Sequence, residues 1–145
     1  MSKAVVLSAV RTPIGKLGGA LASLPATTLG GEAIRAALER SGVDPADVDH
    51  VIMGEVLQAG VGQAPARQAT FKAGLAKTVT SETINKVCAS GMLAVANAMR
   101  YLRNDEYALM VAGGMESMSN APYLLPNARF GYRYGDGKLL DAMVS

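Results

Sequence analysis

The chain has 145 residues, of which 50% are hydrophobic and 18% charged, and its net charge of +2 is scattered along the sequence. That length suits one ordinary domain, and the composition is globular rather than disordered. Aromatics make up only 5% and no run of Lys or Arg is present, which argues against a nucleic-acid partner.

The single cysteine, Cys88, leaves no intrachain disulfide and no Cys-Cys pair for zinc, so no metal is expected and a reducing, intracellular setting fits best. The apolar run Ala4 to Val10 is stopped by Arg11 and Pro13. That is too short for a signal peptide's core plus cleavage region, and far too short for a membrane span. The expected location is therefore cytoplasmic with no membrane partner, although an organellar protein without its leader would read the same.

In chain order, Ala4 to Val10 is a continuous, β-branched-rich run, as expected of a strand buried on both faces. A loop with Gly15, Gly18 and Gly19 follows. Thr28 then suits the cap of a helix that Gly42 ends, with Glu32, Arg35 and Glu39 as its wet stripe. Val51 to Val56 reads as a second strand. Pro65 suits the first turn of a second helix, which closes at Gly74. Thr80 to Val87 alternates polar and apolar, the pattern of an edge or half-covered strand. A helix from Cys88 to Arg103 and a fourth strand from Ala108 to Ala112 complete the series. Strands alternating with helices imply parallel pairing and right-handed crossovers, hence a layered α/β fold.

Two features say that this fold is unfinished. From Ala89 to Met99 the third helix carries no charge on any side. A helix apolar all round is buried all round, and one sheet covers only one of its faces, so something outside this chain should cover the other. After Ser119 the texture also changes: Pro122, Pro126, Gly131, Gly135 and Gly137 interrupt it, and Tyr123, Phe130, Tyr132 and Tyr134 crowd together. The expected division is an α/β domain over 1–119 and the opening of a second, loop-rich subdomain over 120–145.

Asn85-Lys86-Val87-Cys88-Ala89-Ser90-Gly91-Met92 joins the end of a strand to the start of a helix. Ligands bind at the carboxyl ends of strands in open α/β sheets. A thiol on a helix's first turn sits near the dipole's positive end and its unpartnered N–H groups, which favour thiolate. The same N–H groups suit an oxyanion on an acyl group carried by the sulfur. Small residues at Ala89, Ser90 and Gly91 let a thioester approach the backbone. Cys88 thus reads either as a nucleophile or as a small buried hydrophobe.

The same segment resembles the nucleophile segment of the thiolase family. Ala112-Gly113-Gly114-Met115-Glu116-Ser117-Met118-Ser119 resembles that family's Gly-Gly-Met-Glu-Ser-Met-Ser signature, and Arg11-Thr12-Pro13-Ile14-Gly15 and Gly62-Gln63-Ala64-Pro65-Ala66-Arg67-Gln68 fit in order and spacing. The resemblance covers essentially the whole chain. It implies a layered thiolase fold, a mostly parallel sheet with covering helices, of which this chain holds an incomplete half. It implies a reversible Claisen condensation of two acetyl-CoA to acetoacetyl-CoA and CoA. Cys88 would carry the acyl group and its backbone N–H would contribute to the oxyanion hole. Acyl-CoA and CoA are substrates and no resident cofactor is implied. A degradative thiolase of broader chain length, or an inert fragment that needs its complement, fits the same residues.

Thiolases also use a histidine from a Gly-His-Pro segment and a second cysteine from a Cys-x-Gly-Gly-Gly segment, and neither is present here. The resemblance places them in a second half that repeats the first half's fold and supplies the partner of the uncharged helix. It also implies one further strand of this domain after the loop subdomain, and a dimer or tetramer built on the edge strand at Thr80 to Val87.

No local residue obviously replaces the missing histidine. His50, at the amino end of the second strand, should lie at the opposite edge of the sheet from Cys88. Glu116 follows the fourth strand on the correct edge and suits a positioning or structural role. Gly60-Val61-Gly62 is a weak dinucleotide signal, because Pro65 stands where the third glycine is needed. Gly15-Lys16 lacks the first glycine and the Ser/Thr of a phosphate loop. Met110, Met115 and Met118 suit either an acyl pocket or core filling. Gly113-Gly114 suggests close backbone approach, to substrate or to a neighbouring helix.

Overall fold

The structure, a computed structural model, describes residues 3–145. Its centre is a three-stranded parallel sheet of β1 (His50–Gly54), β2 (Thr80–Ile84) and β3 (Met110–Gly114), in the order β2-β1-β3. Helices α1 (Ala26–Ser41) and α2 (Pro65–Lys72) cover one face, and α3 (Ser90–Arg103) covers the other. The layered α/β arrangement expected from the sequence is therefore present.

The period of β1 divides the core. Val51 and Met53 pack with Ile34 and Leu38 of α1 and with Ala66 and Ala69 of α2. Ile52, pointing the other way, meets Ala94 and Ala98 of α3. All five residues of β1 are buried, as befits a central strand, and each large aliphatic side chain there contributes roughly 2 kcal/mol. Helices α1 and α2 approach closely at Gly31, where a Cβ would lie 2.7 Å from the Lys72 Cβ.

Element boundaries depart from expectation for identifiable reasons. Helix α1 begins two residues before Thr28, with Pro25 in extended conformation as its N-cap and no side-chain cap. The Thr28 hydroxyl instead accepts from Lys72 Nζ at 2.8 Å. Its other end is as expected: Gly42 takes φ 70 and its N–H bonds Leu38 O, a left-handed stop that glycine adopts without a Cβ penalty. Strand β1 ends at Gly54 rather than Val56, because the Glu116 carboxylate takes the Val56 and Leu57 N–H groups. Strand β3 starts at Met110 because Asp49 Oδ2 takes the Ala108 and Leu109 N–H groups.

The expected first strand does not form. Lys3 to Val10 has no ladder partner among the described residues, and Val5, Val6 and Leu7 are exposed. β-branched composition supplies propensity, but a strand exists only where another strand meets it. Arg40 Nη1 ties the segment by donating to Ala9 O at 3.1 Å.

Helix α3 lays Ala94 and Ala98 on the sheet, while Met92 (77% exposed), Val95 (52%) and Met99 (38%) face outward. The uncharged helix is thus covered on one side only. Beyond Ser119, β4 (Tyr123–Leu124) and β5 (Leu140–Asp141) form a separate antiparallel pair. Asn120 Nδ2 ties the start of this region to Ala22 O and Leu24 O, at 2.8 and 3.1 Å.

Candidate active site

Three glycines seat the amino end of α3 on the carboxyl edge of the sheet. A Cβ on Gly54 would lie 2.5 Å from Ser90 C and 2.7 Å from Gly91 N, both backbone atoms. A Cβ on Gly114 would meet Gly54 O at 3.3 Å and Gly91 Cα at 3.4 Å. Close approach at Gly114 is therefore to the neighbouring helix, whereas Gly113 makes only ordinary contact with Met53.

The chain turns from β2 into α3 through a tight elbow. Val87 stands at φ 48, in the left-handed region where a β-branched residue is a genuine outlier. Packing does not hold it there, since its side chain is 64% exposed. Hydrogen bonds do. Asn85 Oδ1 accepts from Val87 N at 2.9 Å. The buried Ser90 hydroxyl donates to Val87 O at 2.6 Å and accepts from Lys86 N at 2.8 Å. These short polar side chains offer the backbone an alternative to helix, and α3 consequently starts at Ser90, with Ala89 as its N-cap.

Cys88 lies two residues ahead of α3 and not on its first turn, which corrects the expected helix start. It is exposed and free of any disulfide, so it is not a sealed core residue. The Ala89 and Ser90 amides are engaged with Lys86 O (3.1 Å) and Val87 O (3.0 Å). Ser90 is also corrected: its side chain is turned inward to brace the elbow and does not line an open approach.

Glu116 reaches the same edge from the end of β3, its two oxygens accepting from Val56 N and Leu57 N at 3.0 Å each. Beside it lies Glu55, fully buried, with no hydrogen-bond partner for either carboxyl oxygen among the described residues. Burial first, and the nearby Glu116 charge second, push the Glu55 carboxyl up to about 7. His50 sits at the other end of β1, its Nδ1 2.6 Å from Thr80 Oγ1 and its ring stacked on Tyr107 at 4.7 Å. It is a buried structural histidine, away from Cys88.

Sequence reasoning missed Glu55, Asn85 and the bracing role of Ser90. Each left a signal: a lone acid ending an apolar strand, and Asn and Ser flanking a turn where they bond local backbone. The Gly60-Val61-Gly62 loop is braced from within by Gln68 Nε2, which donates to Val61 O and Gln63 O at 3.0 Å each. Of Met110, Met115 and Met118, Met115 is core, Met110 packs against the α3 cluster, and Met118 is exposed.

A parallel sheet with helices on both faces, and a cysteine elbow where an edge strand hands over to a helix, define a thiolase-type half-domain. The sequence profile described as "Thiolase, N-terminal domain" matches residues 4–145, and the chain belongs to that family. In particular, it is 54% identical over 144 residues to the acetyl-CoA acetyltransferase of Cupriavidus necator, covering 99% of this chain and 37% of that protein. It is 54% identical over 145 residues to the Escherichia coli acetyl-CoA acetyltransferase, with 99% and 37% covered. It is 51% identical over 139 residues to the acetyl-CoA acetyltransferase of Schizosaccharomyces pombe, with 96% and 35% covered. The chain thus spans just over a third of the length of these relatives.

Proposed function

We propose that this chain is the nucleophile-bearing part of an acetyl-CoA acetyltransferase, acting with a polypeptide that carries the Gly-His-Pro and Cys-x-Gly-Gly-Gly segments. The observation that carries the reading is Cys88 itself: reachable, on a strained elbow, at the carboxyl edge of a parallel sheet. The relatives' names supply the substrate class.

In the proposed cycle the Cys88 thiolate attacks the carbonyl carbon of one acetyl-CoA. The carbon–sulfur bond to CoA breaks, and CoA leaves and takes a proton. A second acetyl-CoA then loses an α-proton to the complementary part, and its carbanion attacks the acyl carbonyl. Acetoacetyl-CoA departs and the Cys88 thiolate returns. Covalent catalysis of this kind splits one hard step into two easier ones. By resemblance to the family, the Cys88 N–H contributes the donor to the oxyanion. The substrates carry their own activation as thioesters, and no resident cofactor is invoked.

The exposed apolar face of α3, with Met92, Val95 and Met99, supports a complementary half that covers it. The same face supports a chain that is inert alone. Residues 1–119 form the α/β domain in this reading, and 120–145 open the loop subdomain. The assembly is at least dimeric through the open edge of β2, whose residues are partly or fully exposed. Turnover of the assembled protein with Cys88→Ala is the test. Loss of thiolysis by about a thousandfold or more is expected for removal of a nucleophile; ordinary turnover would remove Cys88 from the reaction.

A further inference from the structure

We propose that Asn85 and Glu116 are positioning residues for Cys88, acting together through the Val56 peptide that lies between them. The proposal rests on the reading of Cys88 as nucleophile and adds how its geometry is kept.

The contacts run in series. Glu116 Oε2 accepts from Val56 N at 3.0 Å, and Oε1 from Leu57 N at 3.0 Å. On the other side of the Val56–Leu57 peptide, Val56 O accepts from Asn85 Nδ2 at 3.4 Å. That contact is long, but the neighbouring Glu55 N to Ile84 O bond, at 3.0 Å, holds the two segments in register. The other end of the Asn85 amide accepts from Val87 N at 2.9 Å. Val87 is the left-handed residue directly before Cys88. The amide orientation is fixed at both ends, since a donor faces one of its atoms and an acceptor the other.

Such an arrangement is needed here. A left-handed β-branched residue persists only where its surroundings over-determine it, and Val87 has little packing. Ser90 secures the helix side of the elbow. Asn85 secures the strand side, and it is anchored in turn on a peptide that Glu116 holds. Loss of either side chain frees the same link, so their effects should coincide rather than multiply.

The test uses the active assembly with Asn85→Asp, Glu116→Ala and the double variant, reading kcat, KM for acetyl-CoA and the rate at which iodoacetamide alkylates Cys88. Asn85→Asp keeps an acceptor for Val87 N and removes the donor to Val56 O but adds a negative charge near Cys88, so Asn85→Ser, which offers an uncharged acceptor and no amide donor, is read beside it. Each single variant should lower kcat about tenfold while KM stays within about twofold, the signature of a misplaced reacting group. The double variant should be no worse than the weaker single, because serial contacts are non-additive. Alkylation should slow in the same pattern. If Glu116→Ala does not fold, Glu116→Gln, which keeps one acceptor oxygen, should show a smaller fall in kcat. Singles that leave kcat unchanged, or a double whose loss is the product of the two, would overturn the proposal. Alkylation reports the position of Cys88 whether or not it carries the acyl group. Failure of the nucleophile reading would instead appear as turnover by Cys88→Ala.

Discussion

Glu55→Gln should raise stability at alkaline pH and lower it at acid pH. Glu55 is fully buried at the end of β1, without a hydrogen-bond partner among the described residues and close to the Glu116 carboxylate. Its carboxyl is pushed from 4.5 to about 7. At about 1.4 kcal/mol per tenfold change in proton affinity, that is a penalty of about 3 kcal/mol on the ionised native form. The folded state holds this proton more tightly than the unfolded chain does. The group's favourable contribution is therefore complete below pH 4.5, declines as pH rises toward 7, and is absent above. Glutamine carries no charge at any pH, yet its own buried amide costs about 1–2 kcal/mol where it finds no partner. The variant should accordingly gain about 1–2 kcal/mol at pH 8 and lose about that much at pH 4.5. Urea unfolding followed by circular dichroism at half-unit pH steps gives both curves, and their difference cancels every other titrating group. A difference that is flat from pH 4 to 8 would show that Glu55 ionises like an exposed acid and would refute the reasoning.

Gly54→Ala should destabilise by about 1–3 kcal/mol, measured as a lowered thermal midpoint, because its Cβ would meet the backbone at Ser90 and Gly91, which has no flexible end to swing away. Turnover should fall with it, since the same shift displaces the elbow. Val87→Gly should be more stable than Val87→Ala by about 1 kcal/mol, because the left-handed φ of 48 favours glycine; chemical denaturation of the two variants decides it. Met92→Glu with Val95→Glu should leave the circular dichroism spectrum intact, since both side chains face outward, while abolishing co-purification with the complementary half. Retained association would show that another surface joins them.

The sequence displayed the layer structure well because its strongest signals are periodic. The apolar run at β1 is buried throughout and β2 is a half-covered edge strand, while the uncharged stretch of α3 is covered on one side only. What it concealed were side chains that take backbone groups away from regular structure. Asp49 and Glu116 shortened two strands, and Asn85 and Ser90 delayed a helix by two residues. No periodicity reports such contacts, because they join residues distant in sequence or adjacent in a turn. The N-terminal run misled for a different reason: its composition is strand-like, but partnership belongs to the whole sheet and not to the segment. At the site, the motif around Cys88 was legible from residue types alone. The bracing of its elbow was not, and the buried carboxyl at Glu55 became visible only with the packing around it.

The reading of Cys88 as an acyl carrier is most directly tested by trapping. The assembled protein, mixed with acetyl-CoA and quenched in acid within a turnover, is digested and its peptides are weighed. An acetyl group on the peptide that carries Cys88, displaced when CoA is added before the quench, is the predicted result. An unmodified Cys88 in a protein that turns over, or an acetyl group lodged on another residue, would contradict it.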